Sequence, residues 1–127
     1  MPIAKIVKFN KEVLGISVEN PPKPFRPGEL LWLLKALREE VQELEDAPNL
    51  VEQVDALIDT SIFAIGGLVR LGLTEMQIRE CFDIVMDANF RKRVGQKAGR
   101  VVEGVTDAVK PDDWVGPEAL LQEVIYS

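Results

Sequence analysis

The segment VEQVDALIDTSIFAIGGLVRLGL, residues 51–73, restricts the fold most strongly, because apart from Glu52, Gln53, Arg70 and two aspartates it reads as a buried helix. At about 100° per residue, its aliphatic residues fall on one arc: Val51, Val54, Ile58, Ile62, Ile65 and Val69. Asp55 and Asp59 lie one turn apart on or beside this arc, so both face inward or border the interior. We therefore expect a helix packed in a bundle, with two carboxylates that need compensation.

Four further segments have helical patterns. Residues 2–15 form a short helix that stops at Gly15, and residues 29–47 form an amphipathic helix. Thr74 and Gln77 have the spacing of a capping box that opens a fourth helix, and Pro117 suits the first turn of a short closing helix. The expected core positions of the second and fourth helices are Leu30, Leu33, Leu34, Leu37, Val41, Leu44, Ile78, Phe82, Val85 and Met86.

The remaining segments are rich in proline and glycine. Four prolines between residues 17 and 28 predict a surface loop, and residues 93–118 are expected to be mostly irregular. The sequence therefore predicts an all-α fold, a helical bundle of about four to five helices completed by oligomerisation, with an irregular C-terminal segment. The length of 127 residues fits a single domain, residues 1–127.

Composition narrows the chemistry. A net charge of -6 argues against a general binder of nucleic-acid polymers or anionic membranes. The chain has no histidine and one cysteine, Cys81, which excludes a zinc site built from cysteines and an internal disulfide. Any metal site must be rich in carboxylates and suit a hard cation. The absence of a leader or a long uncharged apolar run leads us to expect an intracellular, cytoplasmic protein.

The second helix carries glutamates one turn apart. Glu40 and Glu43 are three positions apart, and Glu39 and Glu43 are four apart, so each pair shares a face. Glu40 lies at the edge of the leucine arc, whereas the other two lie off it. An exposed glutamate face is ordinary on a helix, and these residues alone are weak evidence for a site.

Asp55 and Asp59 strengthen the case for a metal. A basic partner such as Lys35 or Arg38, uptake of a proton, or a cation would each relieve a buried carboxylate. Facing acidic clusters repel one another unless a divalent ion joins them, and oxygen-only ligands suit Mg²⁺ or Mn²⁺. We therefore favour a metal site over structural salt bridges. Glu52 is explained by capping the third helix together with Asn49.

Basic residues are concentrated near the C-terminal end. Residues 91–110 hold six cations and only Glu103 and Asp107 as acids. The cations are Arg91, Lys92, Arg93, Lys97, Arg100 and Lys110. They form either a solvated surface or a group that binds phosphates, to which Asn89 adds an amide donor on the helix face of Lys92. Trp32 either stacks on a base or packs against a neighbouring subunit, and Phe9, Phe25 and Trp114 are weaker candidates for base contact.

Together the motifs EEVQE, EQVDALID and NFRK resemble those of the MazG-like all-α nucleoside triphosphate pyrophosphohydrolases, in particular phage-type members. The resemblance covers most of the chain. It implies hydrolysis of a nucleoside or deoxynucleoside triphosphate between the α and β phosphates, with a slight preference for a purine such as dGTP. It also implies a homodimer or homotetramer whose helices complete the site, and Mg²⁺ or Mn²⁺ as cofactor.

The resemblance also assigns residues. Glu40 and Glu43 match the first metal-binding pair, and Asp59 matches the aspartate of the second motif, with Asp55 or Glu52 as its partner. The register of that second motif stays open. Glu39 matches an acidic residue that orients or deprotonates the attacking water. Asn89 and Lys92 match the pair that contacts phosphate, and we add Arg93, Lys97, Lys110 and Trp32 as further substrate-binding candidates.

Two other hypotheses compete with this enzyme. One is a helical oligomerisation or regulatory module whose carboxylates bind structural ions or form salt bridges. The other is a nucleotide-binding protein without hydrolysis. The enzyme hypothesis differs from both in predicting the release of pyrophosphate that depends on Mg²⁺ and on Asp59.

Overall fold

The computed structural model describes residues 2–17 and 21–127, which form two compact units, Met1–Ile78 and Arg79–Ser127. Each unit is described by itself. The single-domain expectation stays a prediction. Residues 18–20 of the predicted proline loop lie outside the described residues; the described part after them is non-helical up to the start of the second helix at Pro27.

The first unit is built from three helices, α1 (Ile3–Glu12), α2 (Pro27–Asp46) and α3 (Leu50–Arg70), followed by the start of α4 (Glu75–Phe90). α2 and α3 pack along much of their length, and α1 packs on α3. The predicted helices are therefore present, with ends within about three residues of those expected.

The predicted caps of two helices are confirmed. The Asn49 side chain accepts a hydrogen bond from the Glu52 N–H at 3.0 Å at the start of α3. At the start of α4 the Thr74 N–H donates to Gln77 Oε1 at 2.9 Å, and the Gln77 N–H donates to Thr74 Oγ1 at 3.2 Å. Each bond satisfies a backbone donor that has no partner within its helix.

The core of the first unit lies where the C-terminal half of α3 meets α1 and α2. Its buried apolar residues are Ile3, Ile6, Leu33, Ala36, Ala56, Ile65, Val69, Leu73 and Ile78. Gly67 permits the close approach of α2, since a Cβ there would lie 2.8 Å from Leu33 Cδ2. Tight packing of this kind fixes the register of α2 against α3.

Half of the predicted apolar arc of α3 is not buried. Val51, Val54 and Ile58 are exposed by 50% or more, as is Val41 on α2, and Leu30 is 40% exposed. The prediction that they form the core of this chain was wrong. Periodicity identifies the apolar side of a helix, but it does not say how far the neighbouring helices cover it.

The second unit contains the rest of α4, two short antiparallel strands and a closing helix. Strand β1 (Arg93–Gly95) pairs with β2 (Asp107–Val109), and helix α5 spans Glu118–Ile125. The segment expected to be mostly irregular therefore contains a hairpin. Gly99 and Gly104 adopt positive φ angles of 87° and 77°, which allow the chain between the strands to turn back.

The predicted core of α4 is only partly buried. Ile78 is fully buried, Phe82 is half-buried, and Val85 and Met86 are 37% and 46% exposed. Cys81 is a buried free thiol, and burial raises its pKa.

In the part of the chain that the structure describes, five helices and two three-residue strands confirm the all-α class. Within the described ranges no single helix is long and apolar enough to cross a membrane, although the bent pair of α3 and α4 meets that test by length and composition alone.

Candidate metal centre and substrate cavity

Three carboxylates from α2 and α3 converge in the first unit. Glu40 and Glu43 lie one turn apart on α2, and Asp59 faces them from the middle of α3. One oxygen atom from each of the three side chains lies within 4.8 Å of the other two. The packing of α2 on α3 thus brings the Glu40 and Glu43 pair of one helix together with Asp59 of the next.

Glu40 is the most deeply buried member of this cluster. Its residue is 8% exposed, and Oε2 has no hydrogen-bond partner in the described part of the chain. Burial raises the pKa of Glu40 to about 7, and the contact with Glu43 and the charges of Glu43, Asp59 and Asp55 add to the rise. Burial also raises the pKa of Asp59, followed by the charges of Asp55 and Glu43.

A divalent cation fits this cluster better than a salt bridge does. Among the described residues no ion pair joins Lys35 or Arg38 to the cluster; Arg70 pairs with Glu29 instead, and Arg100 with Asp107. A buried oxygen without a partner is costly, and three carboxylate oxygens within reach of one point form a donor set for Mg²⁺ or Mn²⁺. The residues present therefore fit a hard divalent ion.

Three other predicted acids lie outside the cluster. Glu39 is exposed on α2, beside Glu40 in sequence. Asp55 is exposed, contrary to the expectation that both aspartates border the interior, because it lies on the uncovered side of α3 together with Val51 and Val54. Its charge still raises the pKa of Glu40 and of Asp59. Glu52 is exposed, and its backbone N–H donates to the Asn49 cap of α3.

A cavity of about 750 Å³ lies between α1, α2 and α3 and includes Glu40 and Asp59 in its wall. The rest of the wall is mainly apolar and aromatic. It comprises Pro2, Lys5, Ile6, Phe9, Asn10, Leu14, Trp32, Ile58, Ser61, Ile62, Phe63, Ile65, Gly66 and Arg70. A concave apolar space with a few converging polar groups is the usual form of a small-molecule site.

Trp32 belongs to this cavity. The Arg70 guanidinium lies over the indole ring, 4.1 Å from its centroid, and Phe63 meets the ring edge-on at 6.0 Å. Arg70 is held in turn by Glu29 at 3.2 Å. The indole is thus fixed from two sides and still 41% exposed, which leaves surface for a ligand.

The predicted phosphate-binding residues belong to the second unit. Lys92 Nζ and Lys110 Nζ lie 5.2 and 5.0 Å from the centroid of the Trp114 ring, whose Nε1–H donates to the Ala88 carbonyl at 2.7 Å. Asn89 is half-buried one turn before Lys92, whereas Arg93 and Lys97 are exposed.

Arg100, a further cation of the second unit, is paired with Asp107 at 2.8 Å. A hydrogen bond from the Ala108 N–H, and then Arg100, lower the pKa of Asp107. Lys92 and Lys110, by contrast, both contact the Trp114 ring.

Comparison with known families decides between the hypotheses at a coarse level. Residues 8–89, more than half of the 127-residue chain, match the family described as phosphoribosyl-ATP pyrophosphohydrolase. The chain belongs to this phosphoribosyl-ATP pyrophosphohydrolase family. No curated protein and no solved structure matches the chain.

The phosphoribosyl-ATP pyrophosphohydrolase family lies within the MazG-like all-α superfamily, so the resemblance seen in the sequence is confirmed at that level. Membership indicates a pyrophosphohydrolase that acts on a nucleotide-like substrate. The matched range includes the carboxylate cluster, Trp32 and Asn89, whereas Lys92, Arg93, Lys97 and Lys110 lie beyond it.

The sequence of this pyrophosphohydrolase did not lead us to predict Asn10, a polar residue of the cavity wall. Asn10 on α1 is only 3% exposed and lies with Ile3 and Ile6 on the buried side of the helix. Its sequence signal is a polar residue at a position where the helical period expects an apolar one. That signal is weak by itself, because a buried asparagine often serves only the backbone.

Proposed function

We propose that the chain hydrolyses a nucleoside or deoxynucleoside triphosphate, or a related nucleotide, between the α and β phosphates. The products are the monophosphate and pyrophosphate. The observation that carries this proposal is the cluster of Glu40, Glu43 and Asp59, with its unpartnered buried oxygen, in a chain of a pyrophosphohydrolase family. A purine such as dGTP, a phage-type origin and a cytoplasmic location rest on the resemblance and composition and are part of the proposal.

Glu40, Glu43 and Asp59 would hold Mg²⁺ or Mn²⁺, with Asp55 close enough to contribute its charge. When bound, the ion supplies neutralisation of phosphate charge and Lewis-acid polarisation. Glu39 is the exposed carboxylate beside the cluster, and we propose that it acts as the general base that accepts a proton from the attacking water. The water oxygen bonds to the α phosphorus, the bond from that phosphorus to the bridging oxygen breaks, and pyrophosphate leaves with the electron pair.

Asn89, Lys92, Arg93, Lys97 and Lys110 keep the role of phosphate contacts as part of the proposal. The support is chemical: ammonium and guanidinium groups and an amide donor stabilise phosphate oxygens. Lys92 and Lys110 are the strongest candidates, because the same indole ring positions both.

The decisive experiment offers the purified protein the eight common NTPs and dNTPs and phosphoribosyl-ATP, each with Mg²⁺ or Mn²⁺, and measures pyrophosphate and orthophosphate separately. We expect pyrophosphate from at least one substrate and none in EDTA. Asp59→Asn and Glu43→Gln should abolish turnover, while the control Glu45→Gln, exposed on the same helix and outside the cluster, should keep it. Orthophosphate as the only product, or full activity of Asp59→Asn, contradicts the proposal.

We also propose that the protein is a homodimer or homotetramer. The support is the uncovered apolar side of α3, where Leu50, Val51, Val54 and Leu57 are 50–77% exposed, together with Val41 on α2 at 57%. An apolar surface of this kind commonly marks a protein interface. Light scattering after size exclusion should show an oligomer that Val51→Lys dissociates and Val101→Lys, at a 60% exposed valine of the second unit, does not. A monomeric wild-type protein contradicts this part.

A further inference from the structure

The cavity between α1, α2 and α3 is larger than a metal ion alone requires. Its volume of about 750 Å³ lies within the range of roughly 300–1,000 Å³ that is typical of small-molecule sites. Glu40 and Asp59 occupy only part of its wall, and most of the rest is apolar, with the rings of Phe9, Trp32 and Phe63. A flat, weakly polar group therefore suits the remainder of the space.

Asn10 is the polar exception within this apolar wall. Its Nδ2–H donates to the Ile6 carbonyl at 2.8 Å, which uses one of its two amide hydrogens. In the part of the chain that the structure describes, the second hydrogen and Oδ1 have no resolved protein partner. Oδ1 is not among the fully buried side-chain atoms that lack a partner, so it reaches the open space of the cavity that Asn10 lines, where a ligand can meet it.

The neighbour of Asn10 on α3 is glycine. A Cβ at Gly66 would lie 3.2 Å from Asn10 Nδ2 and 3.3 Å from Oδ1, which is tighter than ordinary packing. The glycine thus gives the carboxamide its room beside the cavity. The amide is also fixed through Ile6, so its free donor and acceptor have a defined direction, as a specificity group requires.

We propose that this cavity binds the nucleobase of the substrate and that Asn10 is a specificity-determining residue, whose carboxamide pairs with an exocyclic group and the neighbouring ring nitrogen of the base. A carboxamide offers a donor beside an acceptor, which matches such an edge. The aromatic rings pack against the base, and the base lies beside the carboxylates that meet the phosphates. The inference rests on the proposed function, because it names the part of the substrate that the same site reads.

The test uses nucleosides, which have no phosphate, in EDTA, so that neither hydrolysis nor metal is required. The chain has two tryptophans, and Trp114→Phe leaves Trp32, in the cavity wall, as the reporter. Adenosine, guanosine, cytidine, uridine and their deoxy forms are titrated against its fluorescence. We expect at least one to change the emission saturably. Its analogue without the exocyclic group, purine riboside or 4-deoxyuridine, should bind about tenfold more weakly, the cost of an unpaired polar group.

Asn10→Leu in this background should remove the tenfold difference between the nucleoside and its analogue. A merely structural role of Asn10 would instead weaken both equally and leave the difference in place, which overturns the assignment. If Asn10→Leu does not fold, Ser61→Phe fills the cavity from its exposed wall and should abolish the nucleoside signal. Ala64→Phe, exposed on the same helix outside the cavity, should retain it.

The outcomes separate this inference from the proposed function. If nucleosides bind saturably, Ser61→Phe removes that binding, and no nucleotide releases pyrophosphate, then the base cavity is supported and the proposed reaction is refuted. If pyrophosphate is released but nucleosides do not change the Trp32 fluorescence, or Ser61→Phe does not affect nucleoside binding, then the proposed reaction is supported and the base cavity is refuted.

Discussion

Glu40→Gln should stabilise the metal-free protein at neutral and alkaline pH while abolishing its catalysis. In the unfolded chain the carboxyl titrates near its ordinary value of 4.5, whereas burial and the neighbouring carboxylates raise its pKa in the folded protein to about 7. Between these values the folded state holds a proton that the unfolded state has lost. The free energy of unfolding therefore falls as pH rises through this range.

The size of the effect follows from the same shift. Each pH unit between 4.5 and about 7 lowers the free energy of unfolding by about 1.4 kcal/mol for one extra bound proton, or roughly 3 kcal/mol in all. Below pH 4.5 the penalty is absent, and above pH 7 it is complete and constant. A neutral amide at position 40 carries none of it, so the variant should gain up to roughly 3 kcal/mol at pH 8 and almost nothing at pH 4.5.

The assay is urea unfolding followed by circular dichroism at 222 nm, in EDTA, at one protein concentration, from pH 4.5 to 8. Wild type should lose stability across this range, and Glu40→Gln should keep only the contribution of Asp59, whose pKa is also raised. The control Glu45→Gln should follow wild type. Parallel curves for wild type and Glu40→Gln would refute the reasoning, because they would mean that Glu40 is ionised without penalty.

Three further predictions follow from the same geometry. Millimolar Mg²⁺ should raise the free energy of unfolding of wild type more at pH 8 than at pH 5, since protons compete for the cluster, and Asp59→Asn should lose this gain; an equal gain at both pH values contradicts it. Lys92→Gln should raise KM for the best substrate by about tenfold with little change in kcat, and steady-state kinetics showing an unchanged KM would remove Lys92 from the phosphate contacts. Gly67→Ala should cost about 1–3 kcal/mol in urea unfolding, because its Cβ would lie 2.8 Å from Leu33 Cδ2. Gly28→Ala, with nothing within 4 Å of its Cβ, should cost nothing, and equal effects at the two sites would contradict the packing argument.

Local signals in the sequence were sufficient for the helices and their caps. A cap joins residues three apart, so Asn49 with Glu52 and Thr74 with Gln77 could be predicted without any knowledge of packing. The spacing of Glu40 and Glu43 is equally local. Their meeting with Asp59 needed one further inference, that consecutive helices with carboxylates on their inner sides pack against each other.

Features that depend on distant partners were missed. The hairpin has strands of three residues, too short for an alternating pattern to show. The role of Asn10 depends on where α1 meets α3, and the sequence shows no link between Asn10 and Gly66, more than fifty positions later. Val51 and Val54 are likewise exposed because the neighbouring helices do not cover that side of α3. A helical wheel of α3 alone cannot predict how far its neighbours cover it.

Glu40 and Glu45 show how a carboxylate of the candidate site differs from a surface carboxylate on the same helix. Both have the same side chain and both continue the helix well, yet only Glu40 is buried beside two further acids. Its burial makes the ion-free fold less stable at neutral pH, and no basic residue in the described chain pairs with the cluster to offset that cost. The divalent ion that we propose would offset it, because binding favours the ionised carboxylates of the folded state. The free energy of unfolding of the metal-bound protein should therefore exceed that of the metal-free protein by more at neutral pH, where Glu40 is ionised, than at acid pH. Unfolding measurements at two pH values can detect this difference.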